Sequence, residues 1–253
     1  MWLRKQWARL NAALLFYTRL PLPRSWPTAF ESLAKAAVLV GCLIGLLLAG
    51  TDWLLAQLGW PLAVRSALVV FGGLWLTGGL HLDGAMDTAD GLAVPEAQRR
   101  LAAMADSRSG AFGVMAAIAI LLLKVSALSA MPYHRGFALL LAAGWGRWGQ
   151  QWAIARYPYL KPAGKGAFHK AAIRSSWETL PSLGLLIALS LGGWWLNWVP
   201  GAIALWTGLA GGLSSAVVAA WLARRLGGHT GDTYGAVVEW VEVAVLTVLA
   251  GVS

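Results

Sequence analysis

Residues 78–91, GGLHLDGAMDTADG, place the carboxylates of Asp83, Asp87 and Asp90 directly after a long apolar run. In a helix these three positions are spaced i, i+4 and i+7, so they share one face. Carboxylates on one face repel each other unless a cation neutralises them. Oxygen ligands suit Mg²⁺, which accepts one or two carboxylates together with substrate phosphate. The stretch therefore predicts a magnesium site held by these three residues, and the alternative is a solvated helix cap.

The composition around this stretch is that of an integral membrane protein. Of the 253 residues, 58% are hydrophobic and 12% are charged, and the mean hydropathy is +0.62. These values predict an all-α polytopic helix bundle in a lipid bilayer. The net charge of +9 is explained by the basic bias of cytoplasmic loops, so we predict no nucleic-acid partner. The single cysteine, Cys42, excludes a disulfide framework.

Apolar segments recur along the chain, which we interpret as one integral membrane domain over residues 1–253. An N-terminal interfacial segment, 1–30, comes first, because residues 2–17 combine apolar and basic residues at helical spacing. Seven spans follow, at about 34–58, 62–82, 110–131, 136–155, 179–198, 201–222 and in a last segment that ends near 252. The second span is expected to deliver the three carboxylates at its end.

Three connections hold the polar motifs, at residues 83–109, 156–178 and 224–233. Asp106 and Arg108 precede the helix that opens at Gly110, where free N–H groups and the helix dipole favour an anion such as phosphate. The 156–178 connection carries Lys161, Lys165 and His169, and it is interpreted as a cationic lid or as a lipid-facing surface. Arg19 and Arg24, beside two prolines, are expected to anchor lipid headgroups or to bind phosphate.

Ionisable residues also occur inside the predicted spans. Lys124 and Arg147 lie in the third and fourth spans, where a charge usually faces a polar cavity or an internal partner. Asp232 and Glu239 are seven residues apart and share a face of the last span, with Glu242 one turn further. These acids are functional candidates, and the alternative is that Arg147 or Lys124 neutralises them.

The distribution of basic residues orients the bundle. All but four of the 20 lysines and arginines fall on one side of the predicted topology, the exceptions being Arg65, Lys124, Arg135 and Arg147. By the positive-inside rule this side is cytoplasmic, and it holds every acidic motif. We therefore predict a protein of the bacterial inner membrane whose active site faces the cytoplasm and whose C-terminus faces out.

Carboxylates, a helix N-terminus and loose cations on one side of a membrane are typical of phosphoryl transfer, which depends on positioning and charge neutralisation. The segment Asp87-Thr88-Ala89-Asp90-Gly91 matches the first half of the CDP-alcohol phosphatidyltransferase signature. The second half is absent, because Val94-Pro95 stands where Ala-Arg is required and no second aspartate pair follows.

The whole chain instead resembles the cobalamin synthase family, the adenosylcobinamide-GDP ribazoletransferases of cobamide assembly. Four motifs carry the resemblance in the same order: FYTRLP at 16–21, GLHLDG to DTADG at 79–91, DSRSGAFG at 106–113, and GDTYGA at 231–236 followed by Glu239. The resemblance implies a Mg²⁺-dependent reaction in which a hydroxyl of α-ribazole, or of its 5′-phosphate, attacks the corrinoid-side phosphorus of adenosylcobinamide-GDP and GMP leaves.

Residue chemistry and the resemblance together give a set of candidates. The catalytic candidates are Asp83, Asp87, Asp90, Asp106 and Asp232; the substrate-binding candidates are Arg19, His81, Arg108, Arg147 and Glu239. The base for the attacking hydroxyl is Asp106, Asp232 or His81, and the sequence does not rank them. The sequence is compatible with a monomer and with a homo-oligomer.

Two rival functions use the same residues differently. A lipid-headgroup transferase would employ the same aspartates with another acceptor. An ion-coupled transporter would employ Asp232, Glu239 and Glu242 as a relay within the bundle, but the two halves of the chain show no matching broken spans.

Overall fold

The computed structural model describes residues 2–23, 25–161 and 166–253. Within these ranges the regular structure is helical, which confirms the all-α part of the predicted fold class, and Arg24 and Lys165 lie outside them. The α-helices are α1 (Trp2–Tyr17), α2 (Ala37–Gln57), α3 (Leu62–Thr77), α4 (Leu80–Ala93), α5 (Ala97–Ala103), α6 (Ala111–Ser129), α7 (Arg135–Arg156), α8 (Ala167–Ala172), α9 (Leu180–Trp195), α10 (Gly201–Leu226) and α11 (Gly231–Val252). Short 3₁₀ helices cover Phe30–Ala36 and Ser176–Thr179.

Fewer helices qualify as membrane spans than the seven predicted. In the described ranges, four helices are long and apolar enough to cross a membrane on their own: Phe30–Gln57, α6, α10 and α11. The bent pair α3–α4 adds a fifth only if both helices form one span. At 16 residues α9 is short for a bilayer. The 22-residue α7 is long enough, but it carries buried arginine and glutamine side chains.

The polarity of α7 follows from its place in the bundle. It packs against α2, α10 and α11, and α11 also packs against α4 and α6. A helix enclosed by other helices has little contact with lipid, so its sequence does not need the hydropathy of an outer span. The outer helices expose large apolar side chains instead, among them Phe71, Trp75, Leu122, Trp195 and Leu213. This distribution fits a membrane protein with a polar centre.

The second predicted span, 62–82, ends earlier than expected. α3 stops at Thr77, and the next two residues, Gly78 and Gly79, have φ values of +64° and +75°. This left-handed conformation is costly for a residue with a Cβ, so two consecutive glycines make the turn possible. The chain bends by 90° and starts α4. The stretch with the aspartates is therefore helical, as predicted, but it runs at right angles to α3.

The N-terminal segment forms the helix expected for residues 2–17. α1 buries Ala12, Ala13 and Tyr17 against the 3₁₀ helix Phe30–Ala36 and the start of α2. Its position at the membrane interface stays a prediction. The contact brings the end of α1 next to the α3–α4 bend, since the backbone N–H of Arg19 donates to the carbonyl of Leu76 at 2.7 Å.

Candidate active site

Two glycines bring α4 into contact with the beginning of α11. A Cβ on Gly84 would lie 2.6 Å from the carbonyl oxygen of Asp232, and one on Gly235 would lie 2.9 Å from the carbonyl oxygen of His81. Real Cβ atoms are not found this close to backbone, so both positions require glycine. Both glycines belong to the sequence motifs, and their role is to bring the two acidic segments together.

Asp83, Asp87 and Asp232 form a carboxylate cluster at this contact. Asp83 is exposed, whereas Asp87 and Asp232 are half-buried. The negative charges of Asp83 and Asp232, and that of Asp90 to a smaller extent, act on the Asp87 carboxylate, and the ammonium of Lys161 acts on it with the opposite sign. Lys161 also forms an ion pair with Asp232, with 3.2 Å between Nζ and Oδ2.

The donor set of this cluster suits a hard divalent cation. The described residues contain no group of three or more His, Cys, Asp or Glu side chains in a metal-binding arrangement. Mg²⁺ does not need one, because it keeps several waters and binds through one or two carboxylates plus phosphate oxygens. Asp83 and Asp87, one turn apart on α4, supply two such carboxylates. The residues therefore fit the ion that the sequence predicts.

Asp90 has a different set of partners. Its Oδ2 accepts the backbone N–H of Gly110 at 2.8 Å, and its Oδ1 accepts that of Gly113 at 2.8 Å. These donors belong to the N-terminus of α6, where the sequence placed a phosphate. The site holds an anion as expected, but the anion is the chain's own carboxylate. Among the described residues, Asp83 and Asp87 are free of such backbone partners, so we base the metal site on these two, and the metal role of Asp90 stays a prediction.

Asp90→Asn is accordingly expected to affect stability more than metal binding. The amide keeps one acceptor but loses the charge that favours a helix N-terminus, at a cost of about 1 to 2 kcal/mol in the free energy of unfolding. Thermal unfolding in detergent and Mn²⁺ binding measure the two effects separately. Weaker Mn²⁺ binding with unchanged unfolding would contradict this expectation and support the predicted metal role of Asp90.

Asp106 and Arg108 form an exposed pair with each other. Arg108 donates from Nη2 to Asp106 Oδ2 at 2.7 Å and from its backbone N–H to Oδ1 at 3.0 Å. These hydrogen bonds from Arg108 lower the pKa of Asp106 to about 2. Such a carboxylate is a weak base, so the structure favours Asp232 or His81 over Asp106 for that role. The predicted phosphate contact of Arg108 stays a prediction.

Arg19 lies in a cleft of about 630 Å³ that Asp83 also lines. The cleft lies between the end of α1 and the α3–α4 bend. A Cβ on Gly78 would be 2.7 Å from Arg19 Nε, so the Arg19 side chain packs directly against the backbone of Gly78. The Arg19 residue is exposed. An exposed guanidinium beside the carboxylate cluster is well placed to bind phosphate oxygens.

A buried ion network joins α6, α7 and α11. Lys124 Nζ lies 2.6 Å from carboxylate oxygens of both Glu239 and Glu242, and Arg147 Nη1 lies 2.6 Å from Glu242. For Glu239 and Glu242 the structure therefore shows neutralisation, one of the two interpretations of the sequence, whereas Asp232 lies outside this network and pairs with Lys161. Removing one partner from such a network is destabilising, because a buried charge is left uncompensated. The substrate contacts predicted for Arg147 and Glu239 stay predictions.

The network extends to His81 through Arg147. Arg147 Nη2 lies 3.5 Å from His81 Nδ1. A guanidinium can only donate, so Nδ1 is the acceptor and the proton of the neutral ring is on Nε2. That Nε2 is buried and has no hydrogen-bond partner among the described residues. An unpaired buried donor is costly and marks a place for an acceptor. His81 is thus better suited to donate to a phosphate oxygen than to act as the base.

Lys161 was named from the sequence only as one of several basic residues of the 156–178 connection, without a contact to the aspartates. Its segment is held by two backbone hydrogen bonds, from His229 N–H to the Pro158 carbonyl at 2.9 Å and from Leu160 N–H to the His229 carbonyl at 2.8 Å. A Cβ on Gly228 would lie 2.6 Å from the same Pro158 carbonyl. The sequence signal for this contact was the run Gly227-Gly228-His229 before α11, because a glycine at position 228 permits the close approach of Pro158.

Two other basic residues of the 156–178 connection, among those that the structure describes, pack against the protein. His169 is buried, and burial lowers its pKa to about 4, so it is neutral. Lys170 Nζ donates to the carbonyl of Ile154 at 2.6 Å at the end of α7. Among the described residues of this connection, Lys161 is the one that pairs with the carboxylate cluster.

Comparison with known proteins gives one consistent result. The family model described as cobalamin-5-phosphate synthase matches residues 9–250. An adenosylcobinamide-GDP ribazoletransferase of Trichormus variabilis is 53% identical over 95% of each chain. Enzymes of the same name are 52% identical in a Synechococcus species, over 96% of each chain, and 49% identical in a Synechocystis species, over 94% of this chain and 92% of the relative. No solved structure matches.

Proposed function

The chain belongs to the cobalamin-5-phosphate synthase family, and from this premise we propose that it is an adenosylcobinamide-GDP ribazoletransferase. Relatives of that name match it over nearly their whole length. The reaction joins adenosylcobinamide-GDP to α-ribazole, or to its 5′-phosphate, and gives adenosylcobalamin, or its 5′-phosphate, and GMP. The observation that carries this proposal is the near full-length match, which includes every segment that builds the carboxylate cluster.

The residues of the site have complementary roles in this reaction. Asp83 and Asp87 would hold Mg²⁺, which when bound neutralises charge on the diphosphate. Asp232 accepts the proton of the attacking hydroxyl, whose oxygen forms a bond to the corrinoid-side phosphorus. The bond from that phosphorus to the bridging oxygen breaks, and GMP leaves with the electron pair. Arg19 and the Nε2–H of His81 donate to phosphate oxygens, whose charge grows during the transfer.

The cytoplasmic orientation is part of the proposal, with the inner membrane as its location. It relies on the positive-inside rule, which four basic residues did not follow. Two of them, Lys124 and Arg147, belong to the buried ion network. The other two, Arg65 and Arg135, pair with buried Asp52 at 2.6 and 2.7 Å. Each exception thus has an internal partner, and on the seven-span topology the other basic residues all lie on one side of the membrane.

The direct test is an assay of the purified protein in liposomes. With adenosylcobinamide-GDP, α-ribazole and Mg²⁺ we expect release of GMP, and EDTA should stop it because the two α4 carboxylates then hold no cation. CDP-diacylglycerol with a small alcohol is the matched control and should release no CMP, since the second aspartate pair of that enzyme class is missing. Release of CMP in place of GMP would contradict the proposed function.

A further inference from the structure

Lys161 is the counter-ion of the carboxylate cluster. In the ranges that the structure describes, Lys161 with Asp232 is the one ion pair that the three cluster carboxylates form with a basic side chain. Lys161 also acts electrostatically on Asp87. Lys161 balances the charge of Asp232, and Asp83 and Asp87 together carry two negative charges, which a divalent cation balances. Lysine and metal therefore stabilise the same carboxylates and oppose each other.

The contact between Lys161 and Asp232 has the properties of an exchangeable pair. The two side chains are 30% and 28% exposed, and ion pairs of this kind are weak. The backbone of the segment is fixed to residues 228–229, so the ammonium stays near the cluster when it leaves the carboxylate. A lysine is a compact charge on a flexible stem, which suits a change of partner better than the planar fork of an arginine.

We infer that Lys161 changes partner during the reaction. It holds Asp232 while Asp83 and Asp87 are free of metal, and it moves to the diphosphate of the substrate once these carboxylates bind a divalent cation. The move leaves the Asp232 carboxylate free to accept the proton of the attacking hydroxyl. This inference rests on the proposed function, and it adds Lys161 to the residues that bind the substrate.

The test measures metal binding without substrate, by electron paramagnetic resonance of Mn²⁺. Lys161→Gln should bind Mn²⁺ about fivefold more tightly than the wild type, the size of a partly exposed ion pair. The same variant should raise the KM for adenosylcobinamide-GDP about tenfold, because a charged donor to phosphate is lost. Tighter metal binding combined with weaker substrate binding is not the result of a general loss of structure.

Matched variants separate charge from position. Lys161→Arg keeps the charge and should bind Mn²⁺ like the wild type. Lys35→Gln removes a lysine that pairs with Glu178, outside the cluster, and should change neither quantity. Lys161→Met keeps the stem and repeats the charge removal independently of the glutamine variant.

The two proposals fail in different ways. A wild-type protein that binds no Mn²⁺ would contradict the metal site at Asp83 and Asp87. A wild-type protein that binds Mn²⁺, with unchanged or weaker binding in Lys161→Gln and Lys161→Met, would overturn the exchange proposed for Lys161 and leave the metal site in place.

Discussion

Asp83→Asn and Asp87→Asn are each expected to lower GMP release by about 10³-fold or more, because each removes a charged metal ligand without changing side-chain volume. The asparagine amide is a neutral and much weaker ligand for Mg²⁺. Mn²⁺ binding should fall in parallel with turnover, whereas thermal unfolding should change little or shift upward, since repulsion within the cluster is relieved.

A control for the charge change is Glu96→Gln, at the start of α5. The Glu96 side chain is 56% exposed, and its ion pair with Arg99 is long, at 4.0 Å. The variant should therefore keep wild-type turnover and Mn²⁺ affinity. Normal turnover in either aspartate variant would contradict the assignment of that aspartate as a metal ligand. Loss of turnover with normal Mn²⁺ binding would instead assign that aspartate a role other than metal ligation.

The helix with the aspartates was predictable because its signal is local. A spacing of i and i+4 fixes Asp83 and Asp87 on one face whatever surrounds the helix. The partners of Asp90 were not predictable in this way. They are backbone N–H groups 20 and 23 residues further along the chain. The contact of Asp90 with the N-terminus of α6 depends on how α4 packs against α6, which spacing does not show.

The same limit applies to the charged pairs. The sequence shows that Lys124 and Arg147 need partners in a membrane, and it shows acids in the last span. It does not show which acid each of them contacts. Lys161 is 71 residues from Asp232, and only the close approach of residues 158 and 228 brings them together. Long-range pairing of this kind has no counterpart in spacing or composition.

Fewer helices than the predicted seven have the length and hydropathy of a span, for two physical reasons. Hydropathy alone does not show that a chain turns at Gly78 and Gly79, because a left-handed pair of glycines is apolar and fits a continuous span equally well. The length of α7 was predicted correctly, but its surroundings were not. A helix enclosed by α2, α10 and α11 carries arginine and glutamine side chains without exposing them to lipid.

His81→Asn is expected to lower kcat by about 10²-fold with little change in KM, the effect of losing a donor that acts in the transition state. The asparagine amide reaches only the position of Nδ1, whereas the glutamine amide of His81→Gln reaches that of Nε2. The glutamine variant should therefore keep a donor at the phosphate and retain most of the lost activity.

Comparison of these two variants distinguishes a donor from a base. Neither amide can accept a proton at neutral pH, so a base at residue 81 would make both variants equally inactive. A donor predicts that His81→Gln is clearly more active than His81→Asn. Measurement of kcat and KM for GMP release in both variants decides the matter. Equal losses in the two would assign the proton of the hydroxyl to His81 and leave Asp232 as a partner of Lys161 alone.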